Sequence, residues 1–142
     1  MKIAIASDHA GFEVKSELKK NLEGLGHEVI DDGPNSAARC DYFDFALKVA
    51  KRVADGSVEK GVLICGSGIG MCISANRLKH VRAAVLRVSD DAILSRKHND
   101  ANVACLGSRM NSIDEMKQFL KTFLETSFEG GRHEARVEKI DR

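Results

Sequence analysis

Val62-Leu63-Ile64-Cys65-Gly66-Ser67-Gly68-Ile69-Gly70-Met71 joins an apolar run to a glycine-rich turn, with a cysteine at the junction. The apolar residues 62–64 predict a buried strand. Three glycines at alternate positions allow the backbone to turn tightly and to direct its N–H groups toward a ligand. A helix that begins near Gly70 would add its positive end to that field. The stretch therefore predicts a strand–turn–helix unit that binds an anion beside Cys65.

The composition excludes several classes of protein. The chain has 142 residues, 22 of them basic and 21 acidic, and this balance argues against a general nucleic-acid or membrane surface. The four cysteines form no C-x-x-C pair and match no zinc spacing. Met1-Lys2 leads directly into a strand pattern, without the apolar segment of a signal peptide. We expect a single domain spanning residues 1–142, located in the reducing cytoplasm.

Strand and helix patterns alternate along the chain. Strands are predicted at residues 2–6, 27–31, 61–65, 82–86 and 102–106. Helices are predicted at 11–23, 42–54, from the glycine loop to about 78, from a cap at 89–91 to about 98, from a capping box at 112–115, and at 133–140. Such alternation is typical of an α/β protein with a parallel sheet covered on both faces, and we predict five strands in the doubly wound order 2-1-3-4-5.

The predicted topology brings three segments to one edge of the sheet. In open α/β sheets the ligand lies at the carboxyl ends of the strands, near the point where the strand order reverses. Here that point is between the first and third strands. The segments leaving the first, third and fifth strands are Ser7-Asp8-His9, Cys65-Gly66-Ser67 and Gly107-Ser108-Arg109. We therefore expect the binding site at this edge.

Cys65 is the candidate base. A positive field favours thiolate over thiol, and removal of a proton next to a carbonyl requires a base beside an oxyanion site. The alternative is a packed cysteine at a strand end, since buried cysteines are common. The loop is not the dinucleotide fingerprint, because Met71 stands where that motif needs glycine, and it lacks the Gly-Lys-Ser/Thr ending of a Walker A loop.

Other polar side chains have both a functional and a structural interpretation. Asp8 either contacts a ligand or caps the helix that follows, and His9 either binds a ligand hydroxyl or lies exposed. His98 either transfers protons or serves as a favourable charge at a helix C-terminus. Arg132 and Arg136 are four residues apart on a predicted helix, so they share a face that suits phosphate, or else they form a solvated charged tail.

Several stretches together resemble the sugar-phosphate isomerase family of the ribose-5-phosphate isomerase B type, which also includes galactose-6-phosphate and allose-6-phosphate isomerases. They span nearly the whole chain in family order and are Ser7-Asp8-His9-Ala10-Gly11-Phe12, Asp41-Tyr42, residues 65–70, residues 95–103, Gly107-Ser108-Arg109 and residues 129–137. The family usually continues with proline after Asp41-Tyr42, where this chain has Phe43.

The resemblance implies a Rossmann-like three-layer α/β/α sandwich, a homodimer whose active sites are shared between subunits, and no metal or cofactor. It implies an aldose–ketose isomerase of the pentose phosphate pathway that converts ribose 5-phosphate to ribulose 5-phosphate through a cis-enediolate. Cys65 matches the base and His98 the residue that opens the furanose ring, and we expect Ser67 to help hold the enediolate. The substrate-binding positions are Asp8, His9, Tyr42, Gly66, Gly68, Ile69, Gly70 and Asn99 for the sugar, and Arg109, Arg132 and Arg136 for the phosphate.

Two alternatives stay open at this point. One is an isomerase of a six-carbon sugar phosphate, such as allose 6-phosphate or galactose 6-phosphate, which shares the same chemistry. The other is a non-catalytic phosphate- or nucleotide-binding module of flavodoxin-like type, which would need the glycine loop and the arginines but neither Cys65 nor His98.

Overall fold

The computed structural model describes residues 1–142 and contains one five-stranded parallel sheet with helices on both faces. The strands are β1 (Lys2–Ser7), β2 (Glu28–Asp31), β3 (Lys60–Cys65), β4 (Ala83–Val85) and β5 (Val103–Gly107). The helices are α1 (Phe12–Gly24), α2 (Tyr42–Ala54), α3 (Ile69–Ala75), α4 (Ser89–Asn99), α5 (Ile113–Glu125) and α6 (Arg132–Ile140). A short 3-10 turn at His9–Gly11 precedes α1. The predicted three-layer α/β architecture is confirmed. No helix combines the length and the apolar composition that a membrane crossing requires.

The strand order differs from the predicted 2-1-3-4-5: it is β2-β1-β3-β5-β4. Every residue of β5 is buried, whereas β4 is only three residues long and half-buried. A strand that is apolar on both sides belongs inside a parallel sheet, and a short half-buried one is better placed at its edge. The point of reversal between β1 and β3 is unchanged. However, β5 now lies directly beside β3, with Cys65 paired to Gly107.

Alternate residues of the central strands build two separate cores. Ile3 and Ile5 of β1 face α1 and α5, together with Phe123. Ala4 and Ala6 face the opposite side, where α2 and α3 pack, and Cys65 belongs to this second core. Since side chains on a strand alternate between faces, the position of Cys65 on the α2–α3 side follows from its register in β3.

The start of α4 and the end of α3 differ from their predictions. α4 has Val88 rather than Ser89 as its N-cap, and the Asp91 carboxylate accepts the backbone N–H groups of Arg87 and Val88 instead. α3 ends at Ala75, before the predicted 78, because the Asn76 side chain exchanges two hydrogen bonds with the backbone of Ala83. The Ser112–Glu115 capping box is confirmed, with reciprocal bonds of 3.2 and 2.9 Å.

A buried lysine ties α1 to the loop after β2. Lys15 is 2% exposed, and its Nζ donates to Asp31 Oδ1 at 2.8 Å and to the Pro34 carbonyl at 2.6 Å. Asp31 also accepts the Gly33 N–H. This pairing satisfies a charge that burial would otherwise make costly, and it fixes the chain next to the end of β1.

Candidate active site

The glycine loop wraps its backbone around Cys65. This residue ends β3 and is 5% exposed, and its Sγ accepts a hydrogen bond from the Gly68 N–H at 3.1 Å. Gly68 has a φ of +79°, and a Cβ there would lie 3.0 Å from the backbone of Leu106. Only glycine therefore allows the loop to turn back onto the sulfur.

The Cys65 sulfur borders an open cleft of about 580 Å³ at the carboxyl edge of the sheet. Eight of the ten residues that line the cleft are predicted site residues, and Ile73 and Met110 are not. The lining residues are Asp8, Tyr42, Cys65, Gly66, Ser67, Ile69, Gly70, Ile73, Arg109 and Met110. Cys65 is thus packed at its strand end, as the structural interpretation expects, and it also borders a cleft, as the functional one requires.

Strand β5 delivers a positive charge to this cleft. The backbone N–H groups of Ser108 and Arg109 donate to the carbonyls of Cys65 and Gly66, at 2.8 and 3.1 Å. The Arg109 guanidinium passes over Gly66, where a Cβ would lie 3.2 Å from its Nη1. These contacts exist because β5, not β4, is the neighbour of β3.

Asp8 and His9 lie where β1 ends, as predicted. Asp8 Oδ1 accepts the N–H groups of Ala10 and Gly11, so its interpretation as a helix cap is confirmed for the 3-10 turn, and it also lines the cleft. His9 Nδ1 accepts the Cys40 N–H at 3.3 Å, which leaves Nε2 to carry the proton of the neutral ring. His9 does not line the 580 Å³ cleft.

Tyr42 packs over the glycine loop from the other side. It is the first residue of α2, it is 44% exposed, and its ring lies against Gly70. Phe43 follows in the first turn of the same helix, where proline is also tolerated. The change from the family's proline therefore leaves the position of Tyr42 at the helix start intact.

The remaining predicted residues lie at the opposite edge of the sheet. His98 and Asn99 end α4, and the carbonyl of Asn102, three residues later, accepts the Gly61 N–H at the start of β3. Roughly 13 Å of strand, at about 3.3 Å per residue, separates Gly61 from Cys65. Within one chain, therefore, His98 does not reach Cys65.

Helix α6 joins this second group. Arg132 and Arg136 are exposed on α6, and the His133 ring between them stacks on His98 with centroids 4.4 Å apart. His133 is 5% exposed, and burial, the neighbouring His98 and the Arg132 charge lower its pKa. Asn99 is exposed beside a separate cleft of about 570 Å³, which holds no other predicted site residue. The structure thus divides the predicted site into a thiol half and a histidine–arginine half.

Metal-ligating side chains form one group in the structure. His98, Glu129 and His133 have ligand atoms within 4.8 Å of one another. Arg132 and Arg136 both act on His133 in the direction expected of nearby positive charges. Their field favours an anion over a metal cation at this end of α6.

Two functional-site neighbours were missed by sequence analysis. His133 lies in a stretch quoted for the resemblance, but only the tertiary structure shows its ring against His98. Arg87 directly follows the predicted fourth strand, and its guanidinium contacts the glycine loop. The rule that selected the residues leaving the first, third and fifth strands would also have selected Arg87, had it been applied to the fourth.

Comparisons with known proteins agree with this architecture. The family model described as Ribose/Galactose Isomerase matches residues 3–140. Ribose-5-phosphate isomerase B of Escherichia coli is 45% identical over 139 residues, which cover 98% of this chain and 93% of that protein. The structure of ribose-5-phosphate isomerase B from Clostridium thermocellum superimposes with a TM-score of 0.98 at 45% identity, over 99% of this chain and 95% of the other.

A further relative was solved with a ligand. The ribose-5-phosphate isomerase B of Mycoplasma genitalium with bound ribulose-5-phosphate has a TM-score of 0.95 and 43% identity, over 99% of this chain and 94% of the other. The family model, the sequence identity and the structural superposition each cover essentially the whole chain. The chain therefore belongs to the ribose/galactose isomerase family and is an aldose–ketose isomerase.

Proposed function

We propose that this isomerase interconverts ribose 5-phosphate and ribulose 5-phosphate through a cis-enediolate, with Cys65 as the base and no cofactor. The observation that carries the proposal is the contact between Cys65 Sγ and the Gly68 N–H in a cleft that also holds Arg109. A thiolate beside backbone donors can both remove a proton and face the oxyanion that results. The relatives named for this activity support the choice of a five-carbon substrate.

The glycine loop supplies the oxyanion donors in this mechanism. Ser67 Oγ accepts the Ile69 N–H at 3.2 Å, so its own proton is free to donate to a substrate oxygen. Cys65 removes the proton from C2 of the open-chain aldose, and the electron pair moves onto the C1 carbonyl oxygen. The proton of the C2 hydroxyl passes to the C1 oxygen, and the proton held by Cys65 returns to C1, which leaves the carbonyl at C2. Each well-placed oxyanion donor contributes roughly 3–4 kcal/mol to such a step.

Ring opening and phosphate binding need the second group of residues. In our proposal His98 accepts the anomeric hydroxyl proton and supplies a proton to the ring oxygen as the C1–O bond breaks. Asn99 contacts the sugar, and Arg132 and Arg136, one helical turn apart, bind the phosphate together with Arg109. Asp8, His9 and Tyr42 bind the sugar from the thiol side.

A second copy of the chain would bring the two groups together. His98 lies at the amino edge of the sheet and Cys65 at the carboxyl edge, so one chain presents half of each site. Ile69, Ile73 and Met110 line or flank the thiol cleft and are 50, 63 and 55% exposed. This apolar rim would be covered if a partner's α4 and α6 closed the cleft. We therefore propose a homodimer with shared sites.

The substrate proposal is tested with a panel of aldose phosphates. Turnover of ribose 5-phosphate, allose 6-phosphate and galactose 6-phosphate is followed by ketose formation, and each kcat/KM is compared. We expect the five-carbon substrate to be preferred by tenfold or more, the scale on which one extra carbon discriminates in a fitted pocket. A preference for a six-carbon substrate would overturn the substrate assignment while leaving the isomerase class in place.

The shared site is tested by mixing two inactive variants. We expect Cys65→Ala and His98→Asn each to be nearly inactive alone. After co-refolding, random pairing makes about half of the dimers mixed, and each mixed dimer has one intact site, so about a quarter of wild-type activity returns. Mixing Cys65→Ala with Cys65→Ser is the matched control and restores nothing. No recovery in the first mixture would exclude a site shared in this way.

All four cysteines are free thiols. A cysteine base must stay reduced, and we therefore propose that the enzyme works in the cytoplasm.

A further inference from the structure

Arg87 reaches from the end of β4 to the glycine loop. Its Nη2 donates to the Ser67 carbonyl at 2.7 Å. Its backbone is held on both sides, because the N–H donates to Asp91 Oδ2 at 2.8 Å and the carbonyl accepts from Asn111 Nδ2 at 3.0 Å. The side chain therefore starts from a fixed point, and its head contacts the turn that carries the active-site cleft.

The charge of Arg87 has no acidic partner. No carboxylate oxygen lies within 4.0 Å of its guanidinium. The carboxylate of Asp91 accepts backbone N–H groups instead. The Nη1 atom of Arg87 is buried without a hydrogen-bond partner. A sheltered charge without a counterion costs free energy, and its one strong contact is the Ser67 carbonyl. The guanidinium therefore directs its positive charge at the Ser67 carbonyl.

The Ser67 carbonyl belongs to the same peptide group as the Gly68 N–H. The only cis peptide bond of the chain is Gly33–Pro34, so this peptide is trans, and its C=O and N–H point in opposite directions. On one side the oxygen faces the Arg87 guanidinium at 2.7 Å. On the other side the N–H donates to Cys65 Sγ at 3.1 Å. One peptide thus connects a positive charge to the sulfur.

A hydrogen bond from a cation to the oxygen polarises the peptide and strengthens its N–H as a donor. Hydrogen bonds that involve an ionised group are about twice as strong as neutral ones, and chains of hydrogen bonds reinforce one another. A stronger N–H donor favours a negatively charged acceptor over a neutral one. The orientation matters equally, since a rotation of this peptide would point the carbonyl dipole at the sulfur.

We infer that Arg87 is a positioning residue that favours the Cys65 thiolate through the Ser67–Gly68 peptide. It touches neither the sulfur nor the cleft and acts only by holding and polarising that peptide. The catalytic consequence rests on the proposed function of Cys65 as base. The effect on the thiol does not, because it exists in the enzyme without substrate.

The experiment measures the alkylation of Cys65 in the substrate-free enzyme. Iodoacetamide is added over a range of pH, and the modified residue is assigned from peptide fragment ions. This assignment separates Cys65 from Cys40 and from Cys72, which shares a tryptic peptide with Cys65. Cys105 is fully buried, and its contact with Cys72 and its burial raise its pKa, so it reacts little. The variants are Arg87→Met, which keeps the apolar stem, and Arg87→Lys, which keeps a charge. The control is Arg52→Gln, whose guanidinium binds Asp32 near the end of β2.

We expect Arg87→Met to raise the pH of half-maximal alkylation by about one unit, which slows the reaction at neutral pH about tenfold. Arg87→Lys should recover a large part of this loss, and Arg52→Gln should react like the wild type. Folding of each variant is checked by circular dichroism. A folded Arg87→Met with a wild-type pH profile would overturn the inference. If Arg87→Met does not fold, Arg87→Lys decides. A loss of alkylation rate in Arg87→Lys as large as the loss expected when the charge is removed would equally overturn a role for the charge.

The outcome is separable from the proposed function. Should Cys65→Ala retain activity, the base assignment fails even if Arg87 controls thiol reactivity. Conversely, an inactive Cys65→Ala together with unchanged alkylation of Arg87→Met would support Cys65 as the base and contradict only the positioning role of Arg87.

Discussion

The His98 ring stacks on the His133 ring, with centroids 4.4 Å and planes 17° apart. His133 is buried, and its Nε2 has no hydrogen-bond partner. The nearest carboxylate oxygen, Oε1 of the exposed Glu129, is 3.9 Å away, too far for a hydrogen bond. Two stacked imidazoles repel each other when both are protonated. The ring that we propose for ring opening is therefore held flat against a ring that resists protonation.

This stack predicts a loss of stability in mild acid. Burial, His98, Arg132 and Arg136 lower the pKa of His133, and only Glu129 raises it. The folded chain thus binds fewer protons than the unfolded chain, so the free energy of unfolding falls as the pH drops below about 6.5, the ordinary histidine pKa, toward the lower folded value. Urea unfolding of the wild type and of His133→Phe at neutral and mildly acidic pH measures this effect. The phenylalanine variant keeps a ring against His98 and should lose less stability in acid. An equal loss in both proteins would contradict the prediction.

Replacement of Cys65 by alanine should abolish turnover and preserve binding. Removing a general base typically slows a reaction by about 10² to 10⁴-fold, whereas the phosphate and sugar contacts do not involve the sulfur. Steady-state kinetics and calorimetric titration with ribose 5-phosphate measure the two properties. Near-normal turnover in Cys65→Ala would show that another group is the base.

Arg136→Gln should mainly raise KM. A phosphate anchor contributes equally to the substrate and the transition state, so its loss weakens binding without slowing the chemical step. Lys121→Gln, an exposed lysine on α5, is the charge-matched control and should leave both parameters unchanged. A fall in kcat with unchanged KM would exclude the anchoring role of Arg136.

Gly68→Ala should damage both the stability of the protein and its active-site loop. At a φ of +79° an L-residue is strained by about 1–2 kcal/mol, and the added Cβ would press on the backbone of Leu106. Gly24→Ala is the control, because Gly24 lies in the last turn of α1, a Cβ there meets nothing within 4 Å, and alanine favours helix by about 0.5–1 kcal/mol. Opposite shifts in Tm are expected for the two variants. A Gly68→Ala protein as stable as the wild type would show that the loop can relax.

Lys15→Met should destabilise the fold by about 2–4 kcal/mol. The change leaves Asp31 and the Pro34 carbonyl without their buried donor. Removal of one partner of a buried ion pair destabilises a protein by more than the pair itself stabilises it, because the remaining charge is uncompensated. Lys20→Met, on the exposed side of the same helix, should change stability by less than about 0.5 kcal/mol. Chemical denaturation measures both, and equal effects would contradict the role assigned to the buried amine.

Much of the fold could be predicted because its signals are local. The apolar runs that became β1, β3 and β5, the Ser112 capping box and the glycine turn after Cys65 each depend on a few neighbouring residues. The strand order could not be predicted in the same way. The position of β4 depends on which of two apolar strands buries both faces, and that is a property of the assembled sheet.

The sequence by itself determined that this is an α/β protein with a thiol beside a glycine-rich turn, because strand alternation and glycine placement are written in consecutive residues. Only the tertiary structure decided which polar groups meet. It placed Arg109 over Gly66 by setting β5 beside β3, joined Arg87 to Cys65 through one peptide, and put His98 at the far edge of the sheet from the sulfur. The physical reason is that such contacts follow from the packing of strands and helices distant in sequence, and no local pattern of residues encodes them.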